Sequence, residues 1–164
     1  LTGIANRRAL TGYFDDLVGK GATKNQPLAR MLMVIDQFKR FNDTYGHVLG
    51  DNVLCAVAGI LADNAGGGMV ARYGGEEFSV VLPGYDANQA CKHANTIREK
   101  IQEIQLWTAQ GELIPSITIS IGVKQMEPHD TLQTLVHDAD SALYCAKRSG
   151  RNCVRQHSAQ VPQA

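Results

Sequence analysis

The sequence has no excess of either charge, since sixteen Lys and Arg are balanced by sixteen Asp and Glu. A neutral chain offers no electrostatic footprint for nucleic acid or for an acidic membrane surface. No apolar run approaches the ~20 residues that a membrane helix needs, and nothing of signal-peptide character opens the chain. Cysteine is present but unpaired in pattern: Cys55, Cys91, Cys145 and Cys153 are scattered. That spacing excludes a disulfide framework and a cysteine zinc site, and fits free thiols in a reducing compartment. Internal repeats and a second domain boundary are also missing. What remains is 164 residues, 44% of them hydrophobic, enough for one domain with a real core.

The periodicity predicts the elements. Asn6 to Val18 reads as a helix with Leu10, Phe14, Leu17 and Val18 on one face. Leu28 to Ile35 is almost unbroken apolar sequence, suited to a central strand buried on both faces. Phe38 to Thr44 is a short helix. Asp51 is placed to cap the next helix, which carries Val53, Leu54, Val57, Ile60 and Leu61. Two strand-like runs, Met69 to Tyr73 and Phe78 to Leu82, follow a triple glycine. Asp86 to Ile104 is a long amphipathic helix, and 106–113 a loop or lesser hairpin. Ser116 to Val123 alternates as a strand, Leu132 to Lys147 is a helix, and Cys153 to Arg155 can add a last strand. The polar tail, 158–164, is expected to fray. The order implies an α+β fold of the ferredoxin-like, palm type: a mixed, mainly antiparallel sheet flanked by helices, one domain over 1–157.

The most informative segment lies between the two hairpin runs: Gly74-Gly75-Glu76-Glu77-Phe78. The Gly-Gly pair reads as a tight turn, because glycine reaches the positive φ angles such turns need. The adjacent carboxylates repel unless water solvates them or a cation lies between them. Glycines that let a ligand approach the backbone, beside acids able to hold Mg²⁺, point to a nucleoside triphosphate site. A solvated hairpin is the plainer alternative for these five residues alone.

Further segments accompany it in fixed order. They are Leu1-Thr2-Gly3-Ile4-Ala5-Asn6-Arg7-Arg8, the stretch from Asp36 to Asp51, Ser120-Ile121-Gly122-Val123, and the stretch from Ala142 to Asn152. Together they closely resemble the GGDEF family of diguanylate cyclases, here in its GGEEF form, over roughly Leu1 to Val154. The resemblance implies a palm fold and the condensation of two GTP into cyclic di-GMP across a homodimer of half-sites, with Mg²⁺ or Mn²⁺. It implies Glu76 as the metal ligand that also helps the 3′-hydroxyl lose its proton. Glu77 is its catalytic partner and a further candidate ligand, or surface charge. The carbonyl of Ile35 completes the implied metal set.

Asn42 and Asp51 match the positions that read guanine, with a helix end and a helix cap as their plainer readings. A carboxylate accepts from guanine N1 and N2, and an amide serves both donors and acceptors. His47 matches a substrate position or packs a loop between Gly46 and Gly50. Lys39 and the amides around Phe38 would meet terminal phosphates at a helix start, with Gly74 and Gly75 leaving room. Lys147 and Arg151 match a phosphate clamp; their alternative is favourable charge near a helix C-terminus. The chain opens inside the first motif, so it reads as a domain whose sensory region lies upstream. The resemblance places the domain in the cytoplasm, with any membrane anchor outside this chain.

Two departures from the pattern matter. The family usually reads Asp-x-Asp-x-Phe-Lys, and its first Asp is a metal ligand; that position is Val34 here. Asp36 holds the second position and is a doubtful substitute, because Mg²⁺ demands near-ideal octahedral geometry. The Arg-x-x-Asp product-inhibition site is replaced by Ala65-Gly66-Gly67-Gly68, so no inhibition through it is expected. The alternative function is a degenerate GGDEF domain that binds GTP or only regulates an attached domain. A related cyclase or polymerase palm with another nucleotide product is the third reading.

Overall fold

The computed structural model describes residues 1–158; the expectation of a frayed tail over 158–164 falls almost wholly outside them. Six strands form one sheet in the order β1-β3-β4-β2-β5-β6. Strand β2 (Leu28–Ile35) is central and buried along its whole length, as a continuous apolar run requires. It pairs antiparallel with β4 (Glu77–Pro83) and with β5 (Ile119–Gln125). Strand β3 (Met69–Arg72) pairs antiparallel with β4. The outer pairs are parallel: β1 (Ala5–Asn6) with β3, and β6 (Val154–Gln156) with β5. A two-residue β1 has no periodicity to betray it and was not expected. Over 106–113 only one bridge forms, Trp107 to Leu113.

Helices cover both faces. On one, Met31, Met33 and Ile35 pack with α3 (His47–Asp63) and α4 (Ala87–Gln102). On the other, Leu28, Leu32 and Val34 meet α1 (Arg7–Gly19) and α5 (Leu132–Arg148). This is the two-residue alternation of a strand with both faces buried. Helix starts follow side-chain chemistry. Asn6 caps α1 through a 2.8 Å bond from the Ala9 N–H, and Asp86 and Thr131 form capping boxes on α4 and α5.

Two expectations fail in the elements near the site. Asp51 does not cap a helix: α3 already begins at His47, and Asp51 lies in its second turn. Gly46, at φ 90, makes the break and is the single residue between α2 (Phe38–Tyr45) and α3. His47 is therefore a helix residue and not a loop residue. Nor does the Gly74-Gly75 turn use positive φ at either glycine. It closes through Tyr73 and Gly74 N–H groups, both donating to the Glu77 carbonyl at 2.7 and 3.2 Å.

Candidate functional site

The end of β2 and the signature turn meet at one end of the sheet. The Ile35 N–H donates to the Glu76 carbonyl at 3.2 Å, tying the end of β2 to the turn. The Arg72 guanidinium bridges the turn from below, donating to the Gly75 carbonyl through Nε at 3.2 Å and Nη2 at 2.7 Å. Gly74 and Gly75 are exposed. A Cβ on Gly75 would meet nothing within 4 Å, and one on Gly74 would lie 3.4 Å from Glu77 Oε2. The glycines thus leave open space above the turn, not a special dihedral angle.

Position 34 stands directly opposite Glu77 on β4 and Ser120 on β5. Opposite residues share a face, with Cβ atoms ~4.5–5.5 Å apart. Val34 is 5% exposed and packs with Leu32, Ala139, Leu143 and Tyr73. The first residue of β4 therefore faces an apolar side chain at the position where the family pattern led the sequence reading to expect an acid. Among the described residues no three acidic, His or Cys side chains are arranged so as to hold a metal ion.

Asp36 follows two residues later and is fully engaged. Its Oδ2 accepts from Thr118 Oγ1 at 2.7 Å and from the Asn152 N–H at 3.0 Å; its Oδ1 accepts from Ser120 Oγ at 2.6 Å. Its own N–H donates to the Thr118 carbonyl at 2.9 Å. This carboxylate pins the end of β5 and the 151–152 turn to β2. The residues left that could hold a divalent ion are Glu76 and Glu77, with the Ile35 carbonyl at the strand end. Two carboxylates fit an ion that leans on substrate phosphates and keeps several waters.

Helix α2 carries the next group. Gln37 precedes it at φ 52 and no side chain caps it, so its first amides point outward. Phe38 is buried and stacks on Phe41 with centroids 6.5 Å apart. Lys39 projects into solvent. Asn42 Oδ1 is buried with no hydrogen-bond partner. It sits against Gly50 of α3, where any Cβ would collide with it. Gly50 is a positioning residue that the sequence reading passed over. An isolated glycine within an apolar helical run was the available signal. Asp51, next to it, and His47 are both exposed.

The basic pair ends α5. Lys147 lies in its last turn, half-buried, and Arg151 follows at φ 62 with its N–H donating to the Ala146 carbonyl at 3.1 Å. Ile35, Asp36, Phe38 and Arg151 line a common cavity, so β2, α2 and the α5 exit converge there. No contact joins Lys147 to that cavity.

Residues 1–153 match the family described as "Diguanylate cyclase, GGDEF domain". The chain belongs to the GGDEF family. This GGDEF domain is 41% identical over 156 residues to the response regulator PleD of Caulobacter vibrioides, covering 94% of this chain and 34% of that protein. It is 36% identical over 162 residues to diguanylate cyclase DosC of Escherichia coli, covering 98% of this chain and 35% of that protein. The domain thus spans about a third of the length of these relatives. Among solved structures it resembles the GGDEF domain of DgcB from Caulobacter crescentus in complex with c-di-GMP. There the TM-score is 0.91 and the identity 32%, over 96% of this chain and 91% of that one. The active GGEEF domain of a diguanylate cyclase from Vibrio cholerae gives a TM-score of 0.84 at 32% identity, over 96% and 99%. The mixed sheet with flanking helices expected from the sequence is therefore the GGDEF fold. Among the described residues no helix is long and apolar enough to cross a membrane.

Proposed function

We propose that this domain makes cyclic di-GMP from two GTP molecules, releasing pyrophosphate, with each protomer of a homodimer presenting one GTP. The observation that carries this is Asn42. Its buried side-chain oxygen lacks a donor, an arrangement that costs about 1–3 kcal/mol. Guanine N1–H and N2–H are donors of the right kind, and the exposed Asp51 carboxylate, one residue from Gly50, is a second acceptor. The uncapped amides around Phe38, with Lys39, Lys147 and Arg151, would hold the triphosphate. His47, at the start of α3, would flank the nucleoside. The open space over Gly74 and Gly75 would let the phosphates pass close to the turn.

A divalent ion, Mg²⁺ or Mn²⁺, held by Glu76, Glu77 and the Ile35 carbonyl supplies charge neutralisation at the phosphates when bound. Glu76 would accept the proton from the ribose 3′-hydroxyl as that oxygen attacks the α-phosphorus of the partner's GTP. The test is product formation from GTP with Mg²⁺ or Mn²⁺ at high protein concentration, against Glu76→Gln as control. Cyclic di-GMP from the parent alone supports the reading; a different nucleotide product, or equal turnover by Glu76→Gln, sinks it.

A second reading is favoured by Val34. With an apolar group facing Glu77, the domain would bind GTP without turning it over and would regulate an attached domain. GTP binding with no product under those conditions, even in an enforced dimer, would select it.

Two glycines give sharper checks. Gly50→Ala should push Asn42 aside and weaken GTP binding about tenfold, the loss of one hydrogen bond of ~1.4 kcal/mol, while the melting temperature stays near the parent's. Unchanged GTP affinity would remove Asn42 from the guanine site. At Gly68, a Cβ would collide with the Val81 carbonyl, a backbone atom that cannot yield. The pair Ala65→Arg and Gly68→Asp should therefore cost about 3 kcal/mol of stability and create no product inhibition. A stable double variant with saturable cyclic di-GMP binding at 65–68 would overturn that expectation.

A further inference from the structure

The cavity beside α2 shares Ile35, Phe38 and Arg151 with the proposed nucleotide site, but the rest of its lining has no part in that reading. It encloses about 510 Å³ between α2, the 115–118 segment and the 150–152 turn. Its walls are Phe38, Phe41, Tyr45 and Ile117, from one face of α2 and the segment entering β5. Asn42, the guanine-facing side chain, does not line it. Phe41 and Tyr45 lie 4.9 Å apart at 44°, a tilted pair that offers ring faces and edges to a flat guest.

The mouth is cationic. Arg40 and Arg151 both line the cavity and are exposed. Against these two guanidiniums the lining has a single acid, Asp36, whose oxygens accept from two hydroxyls and one amide. The backbone at the mouth is strained. Gln37, Arg151 and Asn152 are the only non-glycine residues with positive φ among those described, at 52, 62 and 47. All three line this one cavity. Such conformations persist only where the surroundings over-determine them, and they gather at binding sites. Here the surroundings are the Asp36 bond to the Asn152 N–H and the Arg98 Nη1 bond to Asn152 Oδ1 at 2.9 Å.

We propose that this cavity binds a small aromatic anion, its ring between Phe41, Tyr45 and Ile117 and its acidic group on Arg40 and Arg151. An open cleft with aromatic and aliphatic walls on one side and two guanidiniums at its mouth suits a planar body carrying one anionic end. Arg151 is also assigned to the GTP phosphates above. Building on that reading, occupancy of the cavity opposes GTP binding, because one guanidinium serves two anions. The antagonism is reciprocal: GTP weakens the anion by the factor that the anion weakens GTP.

The probe is anilinonaphthalene sulfonate, an aromatic sulfonate whose fluorescence rises on apolar burial. The expected result is saturable one-to-one binding to the folded protein. Ser116→Trp, at an exposed lining position, should fill the mouth; Arg40→Glu should reverse one of its charges. Each should weaken the probe about tenfold or more, the worth of a charge-assisted contact, while thermal melting stays near the parent's. Added GTP should raise the probe's half-saturation concentration. Failure to saturate, or binding indifferent to both substitutions, overturns the site. Simultaneous binding of probe and GTP without competition overturns the coupling through Arg151. A fluorescent GTP analogue titrated alone separates the two ideas. If it fails to bind while the probe responds to both variants, the cavity stands and the nucleotide reading falls.

Discussion

Val34→Asp should raise turnover of GTP about a hundredfold, the effect of completing a charge-stabilising ligand set worth roughly 2.7 kcal/mol. It should also make the folded protein less stable in the absence of metal. Both effects have one origin. Position 34 lies opposite Glu77 and is buried against Leu32, Ala139 and Leu143. A carboxylate placed there loses its water and faces another carboxylate on the adjoining strand, so without a cation the variant should lose about 2–4 kcal/mol. A divalent ion shared between the two acids should restore that loss, because a ligand that binds only the native state stabilises it by mass action. The parent's melting temperature should respond weakly to Mg²⁺ or Mn²⁺, and the variant's strongly. Melting both proteins across a metal titration, beside turnover, decides the matter. If the variant is no more responsive to metal than the parent, position 34 is not part of a metal site in this domain. If the parent turns over as fast as Val34→Asp, then Glu76, Glu77 and the Ile35 carbonyl suffice.

The reach of the sequence can be judged at these same residues. Strand β2 was legible to its ends, because eight apolar residues in a row leave a buried central strand as their natural state. The departure of Val34 from the family pattern was legible too, since the spacing from Asp36 to Asp51 is unbroken. What surrounds Val34 was not legible, because Ala139 and Leu143 come from a helix a hundred residues later. Asp51 was misread as a cap because it has a capping residue's chemistry. The backbone decided otherwise, with Gly46 at φ 90 starting α3 at His47. The Gly74-Gly75 turn was placed correctly for an incorrect reason, since neither glycine uses its freedom in φ. The collision that keeps residue 50 a glycine exists only once α2 and α3 are packed together. Two of these misses, Asp51 and the Gly74-Gly75 turn, are local backbone choices that composition does not settle, whereas the neighbours of Val34 arrive from distant sequence.

Asp36→Ala should be the most damaging single change near the site, and through stability before chemistry. Its carboxylate is joined by donors 82, 84 and 116 residues away in sequence. Removing it strands the Ser120 hydroxyl, which is fully buried, together with the Thr118 hydroxyl and the Asn152 N–H. Stranded donors cost about 1–3 kcal/mol each when buried, so a total near 3 kcal/mol or more is expected. For a domain of this size that is a fall of about 10 °C in melting temperature. The left-handed turn at Arg151 and Asn152 also loses one of the bonds that hold it, so Arg151 should be less firmly placed at the cavity mouth and GTP affinity should fall with it. Asp36→Asn keeps the shape and one acceptor oxygen, and should recover part of the stability. This pattern separates an anchor from a metal ligand. A ligand acid relieved of its charge would leave the metal-free protein as stable as before or more so. An Asp36→Ala protein that melts with the parent in metal-free buffer would mean that Asp36 anchors nothing, and that the role of second metal acid is still open to it despite Val34.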